Sequence, residues 1–115
     1  MPYIDATVMA VPTVRKDAWL AHAREVEPII METGAIGVVD AWGDDVPEGK
    51  VTDFRRAVQA KADETIVLGW IIWPDKATRD AGWEILMRDE RLNALDPPFD
   101  GKRMIFGGFQ VVGED

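Results

Sequence analysis

Two aspartates, Asp5 and Asp40, lie in runs that read as β-strands and are otherwise mostly apolar. A carboxylate on such a surface is costly unless it is paired or hydrogen-bonded, and loss of water raises its pKa toward the range useful for proton transfer. Strand alternation suggests where they point. Ile4, Ala6, Val8 and Ala10, like Ala35, Gly37, Val39 and Ala41, are small and apolar enough to pack beneath helices. That leaves Tyr3, Asp5, Thr7 and Met9, with Ile36, Val38, Asp40 and Trp42, for the helix-free face. Cationic partners are available in Arg55, Arg56, Lys61 and Arg103, and Trp42 or Trp70 offers an aromatic wall. The chemistry to expect is a small-molecule pocket in which Asp5 or Asp40 accepts a proton and an arginine anchors the ligand. The competing reading is a set of structural ion pairs, which also perturb pKa values.

Other chemistries lack their residues. The chain has no cysteine, no serine and one histidine, so a thiolate or zinc site and a Ser-His-Asp triad are unsupported. His22 falls mid-helix among polar neighbours and is expected to be solvated. Asp44, Asp45 and Glu48 do not match the spacing of a calcium loop. No metal or other cofactor is expected.

The elements that position these residues follow from periodicity and punctuation. Tyr3 to Val11 alternates as a strand closed by Pro12, and Thr13 offers a hydroxyl cap for a helix carrying Trp19, Ala23, Val26 and Ile30 on one stripe. Pro28 should kink or shorten that helix, and Gly34 is placed to stop it. Ala35 to Trp42 reads as a second strand, followed by a long connection, Gly43 to Asp63, that is a lid or an arm gripping a partner subunit. Thr65 to Trp73, rich in β-branched and aromatic residues, is a third strand. Asp75 then caps a second helix with Ala81, Ile85, Arg88 and Leu92 on one face, and Glu84 spaced to pair with Arg88. A Pro97-Pro98 break precedes a last strand, Arg103 to Val112. The order βαββαβ is that of a ferredoxin-like α+β sandwich with an antiparallel sheet, in a single domain over residues 1–115.

Composition agrees: 115 residues, 47% hydrophobic and 30% charged, suit one globular core. The net charge of −8 argues against nucleic-acid and anionic-membrane partners, and a cytoplasmic location is the default expectation. GKRMIFGGFQVV has a glycine–aromatic pattern known from RNA-binding sheets, but it falls on the fourth strand rather than the third.

Strand three is apolar on both faces, with Ile66, Leu68, Trp70 and Ile72 on one and Val67, Ile71 and Trp73 on the other. A single layer of helices covers one face, and burying four or five large side chains on the other contributes on the order of 10 kcal/mol before association costs. A second copy packed sheet against sheet is therefore expected: a homodimer.

The stretches GDDVPEGKVTDF (Gly43 to Phe54) and PFDGKRMIFGGF (Pro98 to Phe109), with the opening YIDATVMAVP, resemble the signature segments of the YbaA-like bacterial family, a domain of unknown function in the dimeric α/β-barrel superfamily. The resemblance covers essentially the whole chain. It implies a ferredoxin-like protomer and a dimer whose two sheets form a barrel, and it implies no activity. The wider superfamily includes cofactor-free monooxygenases, haem-degrading enzymes and muconolactone isomerases, which suggests a cavity and leaves its chemistry open. Where some members carry a cysteine before the tryptophan that ends strand two, this chain has Ala41. The expectation is a small-molecule-binding barrel, with a non-catalytic regulatory or scaffolding dimer as the alternative.

Overall fold

The computed structural model describes all 115 residues. Four strands, β1 (Tyr3–Pro12), β2 (Gly37–Trp42), β3 (Glu64–Trp73) and β4 (Ile105–Gln110), form one antiparallel sheet in the order β2-β3-β1-β4. Two long helices, α1 (Lys16–Met31) and α3 (Lys76–Met87), pack on one face, and two single turns, α2 (Phe54–Ala57) and α4 (Glu90–Asn93), lie in connections. This is the ferredoxin-like βαββαβ arrangement.

The core on the helix side has two centres. Met9, Val11 and Val67 pack with Trp19 and Ala23, while Trp73 packs with Ile29, Ile30, Ala35 and Leu86. These contacts fix which side chains face the helices, and they reverse the expected assignment. Asp5, Thr7, Met9 and Val11 point toward α1 and α3, together with Val38 and Asp40 of β2. The small residues Ile4, Ala6, Val8 and Ala10 face the other way. The physical reason lies in what covers each face. The helices bring Trp19 onto Met9 and Val11 and Trp83 onto Asp5, whereas one end of the opposite face is approached closely by the chain itself.

That approach is made by the long connection. Val58 seals Ala10 and Ile66, with Val46 and Ala60 packed at the edge. The connection therefore covers one end of the face opposite the helices. The rest of that face, including Ile105 and Phe109, stays open, with Phe109 55% exposed.

Local stops and starts are partly as expected. Asp75 accepts from the Thr78 amide and caps α3, and Gly34, at φ 111°, takes the left-handed conformation after α1. Thr13 does not cap α1; it begins a 3-10 turn, and its hydroxyl pairs with that of Thr65 at 2.7 Å. The helix runs on three residues past Pro28. On α3 the buried positions are Gly82 and Leu86, not the expected Ala81 and Ile85, and Ile85 is 55% exposed. The i,i+4 ion pair on that helix is Lys76–Asp80, not Glu84–Arg88.

Candidate functional site: a cavity between sheet and helices

The cavity floor is a single transverse row of the sheet. Asp40 pairs with Gly69, Gly69 with Thr7 and Thr7 with Phe106, so all four point toward the helices. Gly69 is buried, and its backbone needs no special conformation; its place in the row is a matter of space. A Cβ there would come 2.8 Å from the Thr7 hydroxyl oxygen and 3.1 Å from Asp40 Oδ1. The missing side chain thus leaves a hollow flanked by two oxygens. The Thr7 hydroxyl donates to the Gly69 carbonyl at 3.3 Å, which leaves its lone pairs for the hollow.

Above this floor lies a cavity of about 370 Å³, lined by 19 residues of which 13 are hydrophobic. Helix α1 supplies one wall through Trp19, Val26 and Ile30, and Phe99 and Met104 close the end. Trp19 and Phe99 meet edge-on with ring centroids 5.7 Å apart, and His22 stacks at 5.6 Å from Trp19. His22 is thus a wall residue, not a solvated one. Burial, opposed by Glu25, pulls its pKa below the usual value, so the ring is neutral at pH 7.

The two aspartates singled out in the sequence both reach the cavity, in different states. Asp5 is 6% exposed and saturated. It accepts from Trp73 Nε1 at 2.9 Å, from Trp83 Nε1 at 2.8 Å and from Arg79 Nη2 at 2.8 Å. Burial alone would raise its pKa, but Arg79 and the two indoles outweigh it and hold the carboxyl below its ordinary value. Asp5 is an ionised member of a structural pair, with no acceptor capacity left for a substrate proton. Asp40 has no such partner. It hydrogen-bonds the Glu27 carboxyl of α1, and burial first, then Glu27, push its pKa up to about 7. Two carboxyl groups can bond to one another only by sharing a proton.

The expected cations do not come here. Arg55 donates to the carbonyls of Glu64 and Lys61 and holds the connection together, and Lys61 lies exposed beside it. Arg56 pairs at the surface with Glu48 and Asp53. Arg103 pairs with Glu64 and Asp100. Trp42 packs in the core beneath Lys16, whose Nζ stands 5.4 Å from the ring. Trp70 borders the cavity only through the sheet floor, since its pairing with Ala6 and Val39 sends its ring to the opposite face.

Residues that the sequence reading passed over complete the site: Glu27, Gly69, Arg79 and Trp83. Glu27 had a readable signal, being an acid four and eight residues after Ala23 and Trp19 on the apolar stripe of α1. Arg79 and Trp83 lie four apart on α3 and become visible once the buried stripe is drawn through Gly82 and Leu86. No three metal-ligating side chains converge anywhere, and no helix is long and apolar enough to cross a membrane.

The model of a family described as "Protein of unknown function (DUF1428)" matches residues 2–101. "Uncharacterized protein YbaA" of Escherichia coli K12 and that of Shigella flexneri are each 46% identical over 114 residues, covering 97% of both chains. Two solved structures share the fold at 12% identity and a TM-score of 0.58. One, from Bacillus cereus, is described as a candidate antibiotic biosynthesis monooxygenase and is matched over 99% of this chain and 96% of that one. The other, from an uncultured marine organism, is described as a dimeric ferredoxin-like protein and is matched over 100% of both.

Proposed function

The chain belongs to the DUF1428 family, and from that premise we propose that it binds a small, largely apolar organic molecule between its sheet and helices and exchanges a proton with it at Asp40. The observation that carries this reading is the cavity itself. Its 370 Å³ lies within the usual ~300–1,000 Å³ of ligand sites, and its apolar walls converge on a polar floor. Asp40 is the floor carboxyl left without a cation, and a pKa near neutrality suits a group that must both take and return a proton. Such a transfer needs no cofactor.

We also propose that two copies associate through the open part of the sheet, closing the barrel. Exposed Ile105 and Phe109, with Leu68, Trp70 and Ile72 on the same face, support this, as does the neighbour described as dimeric.

The cavity reading is tested with the neutral dye N-phenyl-1-naphthylamine. Saturable fluorescence enhancement is expected. Val26→Trp, which fills the cavity from α1, is expected to weaken binding at least tenfold while the circular-dichroism melt stays unchanged. Equal dye binding by a well-folded Val26→Trp protein would refute the site.

A further inference from the structure

Both fully buried acids of this protein are neutralised by an arginine, and the half-buried pair Asp40 and Glu27 is not. Asp5 has Arg79 and Glu64 has Arg103, both at 2.7–2.8 Å. Asp40 and Glu27 have only one another, and no lysine or arginine lines their cavity. The other titratable groups nearby do not supply the missing charge. His22 of α1 is neutral, and Asp5 of β1 is matched by Arg79 of α3. The chamber therefore holds an uncompensated negative charge, one unit with the pair sharing a proton and two without it. Its lining adds the aromatic rings of Trp19, Phe99, Trp83 and Phe106.

We propose that the cavity takes a protonated organic amine, its ammonium seated over Gly69 between Asp40, Glu27 and Thr7 and its apolar body against Trp19 and Phe99. This rests on the reading of the cavity as a ligand site and names the class of ligand. The geometry fits an ammonium, which has three donors and no acceptor. The hollow left by Gly69 presents Asp40 Oδ1 and Thr7 Oγ1 at about hydrogen-bonding reach of one point, and Glu27 closes it from α1. Carboxylate and phosphate ligands meet like charge at the same spot and are excluded. A cation also removes the reason for the shared proton, so binding near neutral pH expels that proton to solvent.

Three matched probes test this: 2-(1-naphthyl)ethylamine, 2-(1-naphthyl)ethanol and 3-(1-naphthyl)propanoate, titrated calorimetrically at pH 6.5 in two buffers of different ionisation enthalpy. The amine is expected to bind at least tenfold more tightly than the alcohol, and the propanoate most weakly. Amine binding should release up to one proton, read as buffer-dependent heat. Asp40→Asn and Glu27→Gln, each checked for a native melt, should abolish the preference for amine over alcohol while the alcohol still binds. An alcohol that matches the amine, or a preference that survives both substitutions, overturns the amine assignment and leaves the cavity reading standing. Failure of all three probes to bind overturns both.

Discussion

Arg103 grips Glu64 with two parallel hydrogen bonds, each nitrogen 2.7 Å from its own carboxylate oxygen, 39 residues away along the chain. The pair ties the approach to β4 to the first residue of β3, and Glu64 is 6% exposed. Arg103, first among the causes, together with the Lys61 amide, holds the Glu64 pKa down to about 2 against the effect of burial. A carboxyl depressed in the folded state stabilises it above the unfolded pKa, and the gain is lost as pH falls through the folded value. Glu64→Gln is therefore expected to cost about 3 kcal/mol at pH 7. Urea titrations from pH 7 to pH 2 should show this difference constant above about 4.5 and fading toward 2. A difference that does not change with pH would show that the ion pair is not its source.

Asp40 has the opposite sign. Its folded pKa is raised, so the folded state holds the proton more tightly, and stability is lost as pH rises from 3.8 toward 7. Asp40→Asn removes that cost. The variant should melt on the order of 5 °C above the parent at pH 8 and at about the same temperature at pH 4. Thermal scans across this range decide the matter, and a variant less stable than the parent at pH 8 contradicts the shared-proton account.

Asp5 collects one guanidinium and two indoles, so losing its charge weakens the hold on three donor side chains at once. Asp5→Asn is expected to destabilise by about 2–4 kcal/mol, and Trp83→Phe, which removes one donor, by about 1 kcal/mol. Chemical denaturation of both proteins measures the ratio. If the two substitutions cost the same, Arg79 contributes little and Asp5 is not an ionised member of a structural pair.

Phe106 and Phe109 sit on the same strand and face opposite sides of the sheet, as their pairing with Thr7 and Ile4 shows. Phe109→Glu is expected to shift the proposed dimer to monomer at micromolar concentration in sedimentation velocity, whereas Phe106→Glu leaves it intact. A protein that sediments as a monomer without either change removes the barrel.

Element order and type were legible in the sequence because alternation, β-branched runs and proline breaks agreed with one another over strands as long as β1 and β3. Orientation was not. Small residues on alternate positions of β1 suggested a surface for helices, but Ala10 is small because Val58 of the same chain lies on it. The true sign was carried by Asp5, whose partners Trp73, Arg79 and Trp83 come from 68 to 78 residues away and leave no local trace. Asp40 was found as a lone acid on a strand, but its partner Glu27 belongs to a helix, and only the packing of α1 over the floor brings them together. The arginines were found by type and misplaced: Arg55 binds the carbonyls of Lys61 and Glu64, Arg103 reaches back to Glu64 across 39 residues, and nothing in their spacing distinguishes that from reaching a pocket.

The cavity and the open face lie on opposite sides of one layer of backbone, and the connection that seals Ala10 and Ile66 occupies only the second of them. In the proposed dimer each chamber would therefore look outward, away from its twin. Entry of the proposed ligand would then cross no subunit boundary, so the two compartments should fill independently, giving a hyperbolic isotherm whose shape is indifferent to protein concentration.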